Sequence, residues 1–174
     1  MDLSEIESNF NTFEGLLSEL DINLVKHTEL EAFMVRYSIV RIYACYQTNI
    51  KNMVISRAAS TRDSGIRNYV ANGLERKVDI DYKDLKAISN RFNSDFGKKL
   101  DESIDYSPGN SDKPEKLSQN KLAFDRIIDD RHKIAHKELS NLKISSLSAL
   151  KEDHKLACVI LRNFNNIIWS NKRV

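Results

Sequence analysis

The stretch DDRHKIAHKE, residues 129–138, contains three side chains that could act on a phosphodiester: Arg131, His132 and His136. An arginine binds phosphate through a planar fork of N–H donors, and a histidine titrates near neutral pH and can transfer protons. Together these side chains suit the cleavage of RNA, because the 2′-hydroxyl of RNA supplies an internal nucleophile. The spacing allows Arg131 and His136 to border one groove, with a phosphate between them.

Arg131 lies where the helical pattern predicts an apolar residue. The core-facing stripe of this predicted helix consists of Leu117, Phe124, Ile127, Ile128, Ile134 and Ala135. Position 131 lies on this stripe, between Ile128 and Ile134. Because a guanidinium stays charged, it needs a carboxylate, a partner surface or a phosphate at such a position. His136 lies about 140° around the helix from Arg131 and about 7.5 Å further along its axis.

Two other interpretations of this stretch require no RNA. Asp129 with Lys133, and Asp130 with the basic residues that follow it, could form ordinary ion pairs on a helix surface. His132 and His136 are spaced to chelate a metal, but the sequence offers no obvious third ligand. We therefore expect neither a metal nor a cofactor.

The elements that position these residues are predicted to be helices. Glycine is scarce, and both prolines fall in the segment SPGNSDKP, which is typical of long helices with few turns. The predicted helices span residues 4–20, capped by Ser4 and Glu7, residues 30–56, residues 81–103, and a segment from Asp112 or Pro114 past His136. A last helix is predicted from Ser145 or Ser146, and Trp169 and the tail NKRV finish it. We expect an all-α compact bundle of four to five main helices forming a single domain over residues 1–174.

Three of these helices have distinctive apolar patterns. Residues 30–56 are apolar almost all the way round, which predicts a central, buried helix. The helix that Asp81 caps is predicted to bury Leu85, Ile88, Phe92, Phe96 and Leu100. The last helix is predicted to bury Leu147, Leu150, His154, Ala157, Leu161, Phe164 and Ile168, which makes His154 a core residue rather than a functional one.

The composition agrees with a cytoplasmic protein. The chain has 174 residues, 41% of them hydrophobic and 30% charged, with no apolar run long enough to span a membrane. Its first residues are acidic where a secretion signal would be basic. Cys45 and Cys158 lie in apolar helical patterns and are expected to be reduced.

Four arginines in the polar segment 57–81 could contact an RNA backbone: Arg57, Arg62, Arg67 and Arg76. The formal net charge of +2 is too small to identify a nucleic-acid-binding protein by itself. A dense run of charge is also typical of a plain solvated surface.

Residues 131–136 resemble the R-x4-6-H motif of the HEPN superfamily, in which a polar residue commonly follows the arginine. The longer string FDRIIDDRHKIAH is similar to the penultimate helix of RiboL-PSP-HEPN proteins, and FMVRYSIVRIYACYQ is similar to their central helix. The resemblance implies an α-helical homodimer in which the two motifs form one composite site. It also implies RNA cleavage without metal, in a toxin or in phage defence, under an inhibitor or regulatory partner.

Carried over by this resemblance, His136 is the acid/base group, Arg131 the phosphate ligand and His132 a supporting residue. In HEPN toxins that are silenced by adenylylation, a tyrosine stands two residues after the histidine, where this chain has Glu138. This excludes an adenylylated tyrosine at that position. A non-catalytic HEPN module that binds nucleotide, RNA or protein remains an alternative, as does a helical interaction protein.

Overall fold

The computed structural model describes residues 8, 10–12, 15, 24–60, 73, 80–105 and 118–170. The helices whose bounds it gives are α1 (Leu24–Ala59), α2 (Tyr82–Phe92), α3 (Phe96–Asp105), α4 (Gln119–Ala135), a short 3-10 helix (Leu139–Asn141) and α5 (Leu147–Trp169). The described residues form no strand, and the predicted all-α class is confirmed. No helix in these ranges is long and apolar enough to cross a bilayer.

The core is built around α5. Every residue predicted for its apolar stripe is buried, including His154. Ser146 caps this helix, since its hydroxyl accepts a hydrogen bond from the Ala149 N–H at 3.2 Å. Helices α1, α3 and α4 all pack on α5, which therefore holds the remaining elements together.

Helix α1 is longer than predicted and less buried. It starts before Leu30 and continues past Ser56, so that Arg57 is helical and does not lie in a loop. One face of α1 is buried in the core and includes Tyr43 and Tyr46. The prediction of burial all the way round is wrong, because four large apolar side chains of α1 are exposed: Phe33, Tyr37, Val40 and Ile55.

The predicted helix over residues 81–103 is in fact two helices. Asp81 caps α2 as predicted, and it forms a capping box with Asp84. The helix stops at Phe92 because Asn93 is extended and its side chain accepts the Asp95 N–H at 3.0 Å. The Gly97 N–H then donates to the Asn90 side chain at 2.7 Å, and a Cβ at position 97 would lie within 2.6 Å of that amide. The Asn and Gly residues thus turn the chain.

Helix α4 also differs from its prediction at the C-terminal end. Phe124, Ile127 and Ile128 are buried as expected, but Ala135 is exposed. The helix ends at Ala135 and does not continue past His136. The predicted starts at Asp112 and Pro114 lie outside the described residues, as do the caps of the first predicted helix.

Candidate functional site

Arg131 stacks on an aromatic ring of the neighbouring helix. Its guanidinium carbon lies 4.9 Å from the centre of the Tyr43 ring, and Arg131 itself is partly buried. The face of an aromatic ring carries partial negative charge and attracts a cation. This contact is one interaction that stabilises an arginine on the apolar stripe of α4.

Tyr43 is held rigidly and also contacts His132. Its hydroxyl oxygen accepts hydrogen bonds from the Ile80 N–H and from the Gln47 amide, both at 3.1 Å. The His132 ring meets the Tyr43 ring edge-on, with 6.5 Å between their centres. Tyr43 therefore brings Arg131 and His132 together, which the local pattern of α4 did not reveal.

His136 lies one turn beyond His132, at the C-cap of α4. Its backbone N–H donates to the His132 carbonyl at 3.0 Å, and its side chain is exposed. Beyond it the chain reverses in a Schellman motif, in which the Glu138 N–H bonds to the Lys133 carbonyl at 2.9 Å. Lys137 takes the left-handed conformation with φ of 61°, a position that favours glycine by about 1 kcal/mol. The reversal leaves the His136 side chain exposed at the C-terminal end of α4.

Asp130 anchors the loop that follows α4. Its carboxylate is fully buried and accepts the Ile144 N–H at 2.8 Å, the Lys143 N–H at 2.8 Å and the Lys133 ammonium at 3.3 Å. The interpretation of this residue as a surface charge is therefore wrong. Asp129 pairs with Lys143 at 2.8 Å, although the sequence suggested Lys133.

A second buried carboxylate fixes α4 against α5. Asp153, which is mostly buried, receives two hydrogen bonds from the Arg126 guanidinium, a geometry that matches the fork of donors to both oxygens. Arg126 lies about one turn before Asp130 on α4. Helix α4 is thus joined to the loop that follows it by Asp130 and to α5 by Asp153.

The four candidate RNA-binding arginines differ in what the structure describes. Arg57 donates to the Ile168 carbonyl at 2.7 Å and to the Ser60 hydroxyl at 2.9 Å. Its guanidinium also lies 5.7 Å from the ring centres of Phe92 and Trp169. These contacts give Arg57 a role in joining α1 to the end of α5. Arg62, Arg67 and Arg76 lie outside the described residues.

A cavity of about 300 Å³ lies beside His132. Its polar lining comes from α4 and from the start of α2: Asp81, Lys83, Lys121, Asp125, Asp129 and His132. Burial raises the pKa of Asp125, and the nearby Lys121 only partly opposes this. On α4 the four polar lining positions 121, 125, 129 and 132 share one helix face, a signal that the sequence contained. The contribution from the start of α2 depends on the tertiary fold.

His154 behaves as the predicted core residue. It is 6% exposed, and its Nδ1 atom lies 2.8 Å from the Tyr46 hydroxyl. Burial lowers its pKa to about 4, so the imidazole is neutral at physiological pH. Its ring stacks on Tyr46 with centres 5.8 Å apart.

No group of three or more His, Cys, Asp and Glu residues in the described ranges is arranged to hold a metal ion.

Comparison with known proteins gives one clear result: the RiboL-PSP-HEPN family model matches residues 2–170. No curated protein and no solved structure matches the chain.

Proposed function

Because the chain belongs to the RiboL-PSP-HEPN family, we propose that it is a metal-independent endoribonuclease whose active site contains Arg131 and His136. The observation that carries the proposal is the position of Arg131 over the Tyr43 ring, close to the C-terminal end of α4. His136 is exposed at that same end of the helix. The guanidinium carbon lies over the Tyr43 ring, and a guanidinium binds phosphate through the N–H groups at its edge.

The proposed reaction uses the 2′-hydroxyl of the substrate as nucleophile. Its oxygen attacks the adjacent phosphorus, the bond from phosphorus to the 5′-oxygen breaks, and the products carry a 2′,3′-cyclic phosphate and a 5′-hydroxyl. His136 transfers protons at the 2′-oxygen or the leaving 5′-oxygen. Arg131 stabilises the negative charge that develops on the phosphorane oxygens. His132, held against Tyr43, orients the pair.

We further propose that two copies share this site. Tyr46 packs on Phe124 while Tyr43 packs on Arg131, so α1 runs antiparallel to α4. The middle of α1 therefore lies alongside the end of α4, and the first half of α1 extends beyond that end. That half exposes Phe33 and Tyr37, and a second copy that covers them would bring its own motif close to the first.

The biological setting is proposed on the family alone, and the remaining RNA contacts are proposed from the positive charge of the segment 57–81. RiboL-PSP-HEPN membership favours a role in a toxin or in phage defence, under an inhibitor or regulatory protein. Arg62, Arg67 and Arg76 are proposed to contact the RNA backbone.

One observation favours the second candidate function, a non-catalytic RNA- or nucleotide-binding module. Glu138 is exposed two residues after His136, and its carboxylate would repel a phosphate close to the histidine. The module would use the same groove without cutting the RNA.

The test is cleavage of labelled single-stranded RNA and a tRNA pool, in EDTA, by wild type, Arg131→Ala and His136→Ala, with analysis of the product ends. We expect cyclic phosphate and 5′-hydroxyl ends from wild type and a loss of about 10²- to 10⁴-fold in each variant. Lys98→Ala, at an exposed position of α3, is the matched control and should cut normally. Equal cutting by all proteins would reject the assignment, and RNA binding without cutting would favour the module.

Mixing the two inactive variants tests whether the site is shared. If both motifs contribute to one site, mixed dimers of Arg131→Ala and His136→Ala retain one arginine and one histidine, and part of the activity returns. If each chain cuts alone, no activity returns on mixing.

A further inference from the structure

The cavity beside His132 is close to the proposed phosphate ligand. His132 lines this cavity and also packs edge-on against Tyr43, the ring on which Arg131 stacks. A nucleotide whose phosphate lies at Arg131 could thus place its base near His132. This inference rests on the proposed function, because it supposes that RNA occupies the site.

Three carboxylates line the cavity, and Asp125 is the one whose surroundings indicate that it binds a ligand. Asp81 is engaged in capping α2, where it accepts the Asp84 N–H at 2.8 Å, and Asp129 pairs with Lys143. Asp125 is partly buried, and within the described part of the chain its carboxylate accepts no hydrogen bond, although the positive charge of Lys121 lies near enough to lower its pKa. A carboxylate removed from water needs donors in compensation, and the raised pKa of Asp125 reflects that burial.

The chemistry of the four bases selects one of them. A carboxylate offers two acceptor oxygens side by side and no donor. The Watson–Crick edge of guanine presents two adjacent donors, the N1–H and the N2 amino group. Adenine and cytosine present one amino donor next to an acceptor nitrogen, and uracil presents one N–H between two carbonyls. Guanine therefore fits Asp125 with two charge-assisted hydrogen bonds, and the other bases do not.

The other lining residues suit the same ligand. Single-stranded RNA bases are commonly recognised by stacking on an aromatic or histidine ring together with hydrogen bonds to their edges. His132 supplies such a ring, and Lys83 and Lys121 supply positive charge beside a polyanion. We propose that this cavity is a guanine-binding subsite of the nuclease, with Asp125 as its specificity-determining residue.

The test measures binding, so that it does not depend on cleavage. The full-length His136→Ala protein is titrated into fluorescein-labelled hexa-adenosine RNA in which one central position is guanosine, inosine or adenosine. Inosine lacks the N2 amino group but is otherwise the same base. We expect the guanosine RNA to bind about tenfold to a hundredfold more tightly than the inosine RNA, the effect of one hydrogen bond to a charged group.

Asp125→Asn, added to His136→Ala, should abolish this difference, because an amide places an N–H donor opposite a donor of guanine. Glu152→Gln, which removes an exposed carboxylate from α5, is the control and should keep the preference. Circular dichroism checks that each variant is folded, and the inosine comparison itself requires no variant at Asp125. Equal binding of guanosine and inosine RNA, or an unchanged preference in Asp125→Asn, would overturn the subsite. If the wild-type protein does not cleave RNA at all, that result would instead count against the proposed function.

Discussion

Arg131 occupies a core-facing position of α4, and the molecule accommodates its charge with the face of the Tyr43 ring. A contact of this kind contributes about 0.5–2 kcal/mol, depending on how far water is excluded. It fixes the long side chain in one direction before any ligand arrives, which reduces the ordering cost of binding. Arg131 is therefore both a candidate phosphate ligand and a side chain packed against α1.

His154 makes the stability of the domain depend on pH. Its pKa is lowered from 6.5 to about 4 because it is buried, whereas the unfolded chain takes up this proton near pH 6.5. The stabilisation is present above the unfolded pKa and is lost as the pH falls towards the folded one. Between pH 7 and pH 5 the free energy of unfolding should fall by about 2 kcal/mol from this group.

Urea unfolding of wild type and His154→Gln at both pH values measures this effect. A glutamine can still hydrogen-bond to Tyr46 but does not titrate, so its pH dependence should be flatter. Thr48→Ala changes an exposed side chain that carries no ionisable group and should leave the wild-type slope unchanged. Identical slopes in wild type and His154→Gln would contradict the assignment.

At the scale of the elements, α4 and the loop after it act as one unit through Asp130. The carboxylate of Asp130 accepts backbone N–H groups thirteen and fourteen residues further along the chain, at Lys143 and Ile144. Together with the Schellman motif, this contact fixes where α4 ends and hence where His136 lies. The geometry of the site thus depends on a residue that does not touch substrate.

Asp130→Asn should destabilise the domain by about 2–4 kcal/mol, because a buried charge-assisted acceptor is replaced by a neutral amide with one acceptor oxygen. Hydrogen exchange should show earlier opening at residues 137–144 than elsewhere in the bundle. Asp129→Asn is the neighbouring control, and its exposed ion pair with Lys143 should contribute less than about 1 kcal/mol. Equal losses in the two variants would show that Asp130 has no anchoring role.

The sequence predicted these elements to different degrees. The stripe of α5 was predicted completely, since its periodicity lies within one long helix and every member faces the same core. The break between α2 and α3 was missed, although Asn93 and Gly97 were local signals for it. The sequence suggested that Asp130 pairs with a basic residue that follows it, and Lys133 is such a partner. The backbone partners of Asp130 and the ring under Arg131 could not be predicted, because they lie in a later loop and on another helix and depend on the tertiary fold.

At the scale of the whole molecule, α1 combines two surfaces. One face forms the wall of the core and carries Tyr43, while the other exposes apolar side chains at helical spacing. Phe33 is 61% exposed, Tyr37 46% and Val40 43%, on successive turns of one helix. An exposed apolar stripe of this kind is typical of a surface that another helix covers. We take it as the surface through which two copies meet.

Tyr37→Glu should separate the two copies, because a carboxylate placed at the centre of an apolar interface must lose its water without gaining a partner. We expect light scattering to show a dimer for wild type and a weakening of association by about a hundredfold for the variant. RNA cleavage should fall with the dimer and recover at high protein concentration, since a shared site requires both copies. Lys151→Glu, an exposed charge change on α5, should leave both properties intact. A Tyr37→Glu monomer that cuts RNA at the wild-type rate would place the complete site within one chain.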